Sequence, residues 1–327
     1  MTSPGNFSAQ VGESDAGGTL ASFLRSRSPG LTWSQARELC RSGRVRVDGE
    51  PTREDALRLR TGSVVELVAP GAARRAADEL IVHLDRDVAV VRKPAGLLTV
   101  PYEDEKDTLQ QRAAAAVRRR AAHEGIGGSP ALRVVQRLDK ETSGILVFAR
   151  NVAAERHLQA QLKQHSVERL YLALVEGEAR DGTHESWLVA NRGDGLRGSW
   201  GKLRRTSAPP PEQARRALTH VRVLERLAGA TLVACELETG RQHQIRIHVA
   251  EDGHPLVGET VYIRDYQGKR HAAPRPMLHA TVLGFTHPRT HRRLRFEEPP
   301  PADFERTLAE LRQSATPTAS GGRSARR

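Results

Sequence analysis

The side chain best placed to do covalent or acid–base chemistry is Asp139, which stands between Arg137 and Lys140 in the stretch Val134–Arg150. A short apolar run precedes it, Thr142-Ser143-Gly144 marks a turn, and Ile145, Leu146, Val147 and Phe148 follow with the character of a strand. A carboxylate on a loop held between buried strands has a rigid support. Neighbouring positive charge keeps it ionised, and Gly144 lets another backbone or a ligand come close. Such a residue suits the role of nucleophile or base. An isolated Arg-Leu-Asp tripeptide would be read more simply as a turn cap paired on the surface, so the surrounding pattern has to decide.

The elements that must hold Asp139 can be followed along the chain. Residues 1–17 contain Ser, Gly and Asp without periodicity and read as a disordered tail. Leu20, Phe23 and Leu24 share a helical face, Pro29-Gly30 breaks the chain, and Thr32 with Gln35 forms a capping box for a second helix that Gly43 closes. Arg44 to Val47 alternates as a strand, Asp48-Gly49 marks a tight turn, and Ser63 to Val68 reads as a further strand. Arg37, Arg41, Arg44 and Arg46 would then crowd guanidinium groups onto one small surface able to grip phosphates. The competing reading is a solvated basic face on a packing domain.

Pro, Gly and small residues around 70–78 mark a linker. Beyond it, strands are expected at Ile81–Leu84 and Val88–Arg92, and helices at Thr108–Glu124 and from Asn151 to about His165. Arg192–Arg216 reads as an exposed basic loop, strands resume at Leu218–Leu224 and Thr231–Glu236, and residues 313–327 read as a disordered basic tail. The expected organisation is thus a small domain at 18–69 and a larger one at 79–312.

Composition narrows the partners. The 327 residues carry 51 Lys and Arg against 39 Asp and Glu, a net charge of +12, which points to a polyanion. No apolar run approaches the ~20 residues that cross a bilayer and no secretory signal opens the chain, so a cytoplasmic protein is expected. Cys40 and Cys235 lie far apart with no ligand-spaced companion, which favours reduced core thiols over a disulfide or a zinc site. His243 and His248 are not spaced for a metal on a helix or a strand, so packing or RNA-facing roles are expected instead.

Arg137-Leu138-Asp139 followed by Thr142-Ser143-Gly144 resembles the catalytic motif of the RluA-type pseudouridine synthases. Further segments of that family appear in its order: Arg92 to Leu97, Arg169 to Val175, Glu238 to His248, Gly253 to Gly258, and Leu278-His279-Ala280. The segment Ser42–Gly49 and the helix, helix, hairpin order before it resemble the alpha-L RNA-binding domain of a small-subunit ribosomal protein and of tyrosyl-tRNA synthetases.

The resemblance implies an α+β fold, with a mixed and mostly antiparallel sheet around a central cleft. It implies that Asp139 is the catalytic aspartate, that Tyr171 lies against the target base and serves in late proton removal, and that Arg246 pairs with Asp139. Arg137 would insert beside the flipped nucleotide, Leu278 would pack on the uracil, and Lys93 would shape the pocket wall. The chain departs from the family at Gln136, where histidine is common, and at Glu259, where aspartate is usual.

The chemistry cuts a nitrogen glycosidic bond, turns the uracil and rejoins it through carbon, with no metal or redox cofactor required. The expected partner is RNA, large-subunit ribosomal RNA first and transfer RNA second, acted on by a monomer. A catalytically silent RNA-binding or ribosome-assembly factor is the reading from another class. A metal-dependent nuclease is disfavoured because no carboxylate cluster accompanies Asp139.

Overall fold

Thr19 and Thr32 each turn a side-chain oxygen onto the backbone N–H three residues on and so start α1 (Leu20–Arg27) and α2 (Trp33–Arg41). Gln35 completes the capping box at the second start. The computed structural model describes residues 7–68, 79–203 and 208–315. It divides into two units, Met1–Leu80 and Ile81–Arg327.

In the first unit, β1 (Phe7–Gln10), β2 (Val45–Val47), β3 (Glu50–Thr52) and β4 (Val64–Leu67) form a sheet in the order β1-β4-β2-β3. Leu20, Phe23, Leu24, Ala36, Leu39 and Cys40 from the helices close on Val45, Val65 and Leu67 from the strands. The expectation of a disordered tail over 1–17 is corrected from Phe7 onward. β1 pairs antiparallel with β4, and Val11 is buried in the same core, although Phe7-Ser8-Ala9-Gln10 is too short and too polar to announce a strand by itself. The proposed linker at 70–78 lies outside the described residues.

The second unit is built on a sheet in the order β11-β10-β12-β13-β9-β14-β8-β6-β5, with β15 added to β14 and β7 to β8. Its first half runs β5 (Ile81–Leu84), β6 (Val88–Lys93), α3 (Leu109–Glu124), β7 (Arg133–Val134), β8 (Ser143–Ala149) and α4 (Val152–Lys163). Next come β9 (Glu168–Glu176), β10 (Gly182–Val189), β11 (Gly198–Ser199), β12 (Arg215–Arg226) and β13 (Ala230–Leu237). The last part holds α5 (Gln244–Glu251), β14 (Leu278–Thr286), β15 (Arg293–Glu297) and α6 (Ala302–Ala315).

All pairings among the described strands are antiparallel except β14 with β8. The expected mixed, mostly antiparallel sheet is therefore present.

Every residue of β8 is buried, which explains why its sequence is continuously apolar rather than alternating. On it, α4 lays Ala154 and Leu158 beside Val88, Val90, Ile145, Val147 and Phe285. Farther along the sheet, α6 lays Phe304, Leu308 and Leu311 against Leu174, Leu232 and Met277. Gly144 has φ +126, and a Cβ there would overlap the backbone of Ala280 on β14. Only glycine permits that approach, so the turn signal after Asp139 is also the point where the two strands meet.

Residues 192–203 differ from the exposed basic loop expected of them. Arg192 is 7% exposed at its side chain and is surrounded by Asp194 at 3.1 Å, Glu251 at 3.7 Å and Asp265 at 3.7 Å. The positive charge that suggests solvent exposure is neutralised by one neighbouring acid, Asp194, and two distant in sequence, Glu251 and Asp265. Both cysteines are free and buried, and burial pushes their thiols up to about 11 for Cys40 and about 12 for Cys235. Among the described residues no helix is long and apolar enough to cross a membrane.

Candidate active site

Asp139 sits in the short connection between β7 and β8, and backbone contacts hold that connection from several sides. The Thr99 hydroxyl donates to the Leu138 carbonyl at 2.8 Å and accepts from the Leu138 N–H at 3.1 Å, so the residue before Asp139 has both polar groups fixed by one side chain. The Thr142 N–H closes a turn on the Asp139 carbonyl at 3.1 Å. Beneath the turn, the Lys93 ammonium donates to the carbonyls of Lys140 at 2.7 Å, Thr142 at 2.7 Å and Pro94 at 3.0 Å.

Lys93 is 2% exposed and does not reach the cleft, which corrects its expected place in the pocket wall. Burial pulls its pKa down to about 7, against the attraction of Glu141 and Asp139. Three carbonyl acceptors match the three donors that only the ammonium form has, so we assign the charged form. Arg275, also buried, donates to the Glu141 carbonyl at 3.0 Å and to the Ser143 hydroxyl at 3.1 Å while pairing with Asp303 at 2.6 Å.

Above the turn opens a cleft of about 690 Å³ that gathers Gln136, Arg137, Asp139, Tyr171, Arg246 and Leu278 on its walls. Six of the residues singled out from the sequence thus converge. Tyr171 comes from the middle of β9, where it pairs with Cys235 on one side and Ala280 on the other. Burial pushes its phenol up to about 12, with Arg169 pulling down and Asp139 pushing up. Leu278, the first residue of β14, is 4% exposed and offers an apolar wall. Arg137 is exposed at the rim.

Arg246 does not pair with Asp139. Its guanidinium closes on Glu259, with Nη2 to Oε1 at 2.6 Å and Nε to Oε2 at 2.8 Å, and acts on Asp139 only as a nearby charge. Burial opposes the charge on Arg246, but the bonds to Glu259 outweigh it and leave the guanidinium pKa above its ordinary value. Burial likewise works against the Glu259 carboxylate, and Arg246 with the Val261 and Thr260 N–H groups overcomes it and holds its pKa low. The ring of His243 comes close to Asp139, with Nε2 3.9 Å from Oδ1.

Sequence reasoning missed other parts of the site. His243, expected in packing or RNA contact, faces the Asp139 carboxylate. Arg169 is 7% exposed and lines the cleft; its Nη2 reaches the carbonyls of Leu237 and Glu238, and its Nε has no partner. The motif Arg169-Leu170-Tyr171 held a signal for it, since alternate residues of a strand share a face and Tyr171 was already placed at the site. Elsewhere, Asp85, Asp87 and His287 come within cation-binding distance of one another. Their groups are already engaged by His83, Arg289, Asn151 and backbone N–H groups, so they form a structural knot.

In the first unit, Arg37 and Arg41 are exposed on α2, with Asp55 3.5 Å from Arg37 and Glu38 3.9 Å from Arg41. Arg44 and Arg46 are half-buried, and the Arg44 Nε donates to the Val68 carbonyl at 2.9 Å. The four arginines therefore do not form one free surface. Trp33, which the sequence reading passed over, shares the helical face of Arg37 and Arg41, is exposed, and lies 4.3 Å from the Arg25 guanidinium.

The second unit shares its fold with the human protein RNA Pseudouridylate Synthase Domain Containing 4. That likeness has a TM-score of 0.58 at 20% identity and covers 74% of this chain and 96% of that one. Human RNA Pseudouridylate Synthase Domain Containing 1 gives 0.52 at 26% identity, over 71% and 94%.

The model of the RNA pseudouridylate synthase family matches residues 87–251 and that of the S4 domain matches residues 19–65. An uncharacterized RNA pseudouridine synthase of Synechocystis is 33% identical over 308 residues, 93% of this chain and 92% of the relative. The ribosomal large subunit pseudouridine synthase D of Pseudomonas aeruginosa is 33% identical over 288 residues, 84% and 85% of the two chains. The chain belongs to the RNA pseudouridylate synthase family. It is accordingly an isomerase with RNA as its substrate, carrying an S4 RNA-binding domain ahead of the catalytic unit.

Proposed function

We propose that this protein converts specific uridines of large-subunit ribosomal RNA to pseudouridine, with Asp139 as the reactive carboxylate. The observation that carries the site assignment is the convergence of Asp139, Tyr171 and Leu278 on one cleft with Arg137 at its rim. The choice of RNA rests on likeness to the Pseudomonas protein named a ribosomal large subunit pseudouridine synthase, which spans most of both chains. Transfer RNA is the second reading.

In this reading Arg137 and the basic surroundings receive the flipped nucleotide, whose unstacking costs a few kcal/mol. Leu278 and Tyr171 enclose the uracil while it is detached. Asp139 acts on the sugar as nucleophile or base as the glycosidic nitrogen leaves. The free base turns and carbon 5 bonds to the sugar carbon. The proton at carbon 5 is then lost and ring nitrogen 1 regains one, with the Tyr171 hydroxyl, which holds its own proton, relaying rather than keeping it. Atoms are conserved, and the chemistry itself calls for no cofactor.

With ribosomal RNA as its substrate, the enzyme would work in the cytoplasm. Mapping pseudouridine across ribosomal and transfer RNA in cells with and without the protein tests this reading. Loss of sites in large-subunit RNA supports it, and loss confined to transfer RNA moves the substrate to the second class.

A further inference from the structure

We propose that His243 and Tyr262 act together as positioning residues for Asp139, the phenol fixing the imidazole so that its Nε2–H faces the carboxylate. This rests on the reading of Asp139 as the reactive group.

His243 precedes α5 in the left-handed conformation, φ 58, so the helix register does not dictate where its ring goes. The ring meets Tyr262 edge-on with centroids 5.7 Å apart, and Nδ1 lies 2.7 Å from the Tyr262 hydroxyl. On the opposite side Nε2 lies 3.9 Å from Asp139 Oδ1. The charged groups around the ring are Asp139, Arg246, Glu259 and Arg197, and burial keeps the imidazole neutral despite the two carboxylates.

A neutral imidazole has one donor and one acceptor nitrogen. Tyr262 is buried and keeps its phenolic proton, and His243 Nδ1 is its hydrogen-bond partner. A phenol can donate or accept, but a bare Nε2 lone pair would face and repel the Asp139 carboxylate; we therefore place the imidazole proton on Nε2, with the phenol donating to Nδ1. Arg246 is held by both oxygens of Glu259 and leaves this place to the histidine.

A separation of 3.9 Å is longer than a hydrogen bond, and catalytic contacts of this kind commonly tighten once substrate is bound. One carboxylate oxygen is then pinned by Nε2–H and the other is left for the sugar.

The test uses the full-length enzyme and an RNA fragment carrying a uridine found by the mapping described above, with kcat, KM and thermal melting measured for each variant. His243→Ala lowers kcat roughly 10- to 100-fold, the worth of one hydrogen bond to a charged group, with KM within about two-fold. His243→Gln recovers most of the rate because its amide nitrogen reaches the place of Nε2, whereas the shorter His243→Asn does not. Tyr262→Phe lowers kcat in the native background and has no further effect in the His243→Gln background, where no tautomer needs fixing.

The proposal is overturned if His243→Gln is as slow as His243→Ala while both melt like the parent, since the imidazole would then act as acid or base itself. It is also overturned if Tyr262→Phe costs the same in both backgrounds, or if His243→Ala turns over normally. A parent enzyme that forms no pseudouridine would instead remove the underlying reading of Asp139.

Discussion

Arg246 and Glu259 form a buried bidentate ion pair in the wall of the cleft, and the carboxylate of Glu259 is fully shielded from solvent. Breaking such a pair from one side leaves an uncompensated buried charge. Glu259→Ala is therefore expected to lower unfolding free energy by about 3–5 kcal/mol, read from denaturant melts. The same change frees the Arg246 guanidinium to swing toward Asp139. Unchanged stability would mean that the pair relaxes into water at no cost.

Asp139→Asn removes the carboxylate proposed to react and leaves the cationic binding surfaces in place. Pseudouridine formation is expected to vanish, while RNA affinity in a filter or polarisation assay stays within a few-fold. Chelating agents are expected to leave the chemical step unaffected once the RNA is folded. Lost affinity with preserved turnover would contradict the role given to Asp139.

Acid is expected to loosen the fold through His248 and His279. Burial, with a smaller contribution from His184 for the first and from Arg275 for the second, lowers both to about 4. Because the unfolded chain titrates near 6.5, it binds these protons first as pH falls, so the stability associated with neutral rings is complete above about 6.5 and lost toward 4. Each ring contributes on the order of 3 kcal/mol across that window. His279 Nδ1 lies 3.0 Å from the Ser143 hydroxyl and Nε2 3.0 Å from the Glu298 carbonyl, so its protonation also disturbs the end of the Asp139 turn. Melting temperature against pH should fall most steeply within this interval, and less steeply in His279→Gln.

Replacing Arg37 and Arg41 with Gln is expected to weaken RNA binding and flatten its dependence on salt. Each lost phosphate contact should reduce the slope by about 0.7 to 0.9, with kcat at saturating RNA retained. Arg44→Gln should act more through stability, because its Nε holds the Val68 carbonyl. Equal salt slopes for parent and double variant would assign phosphate binding to the catalytic unit alone.

The convergence on Asp139 was legible because strand character and turn chemistry are local properties. Thr32 with Gln35, Thr108, and Asn151 marked helix starts that the structure places within a residue. Ion-pair partners were not legible in the same way. Arg246 had two acids to choose from, Asp139 and Glu259, and the choice depends on the path of the segment after Gly258. His243 was set aside because its spacing from His248 suited neither helix nor strand; the ring lies off the helix, in a left-handed residue that periodicity cannot foresee. β1 was invisible because its stability comes from β4, far along the chain.

The parallel contact of β14 with β8 also bears on how the enzyme comes into being. β14 lies between β9 and β8, and the Ser143–His279 bond spans 136 positions of sequence, whereas β12 with β13 and β5 with β6 pair between neighbours in the chain. Asp139 belongs to the side of the seam that ends in β8, while Tyr171 and His243 belong to the other. Long-range closure costs more loop entropy than hairpin formation and tends to limit the rate. On refolding from denaturant, recovery of pseudouridine-forming activity should lag recovery of strand signal, and substitutions at Ala280 that hinder the seam should lengthen the lag. A cell would then hold newly made chains that are largely structured, able to bind RNA through the first unit, and not yet able to modify it.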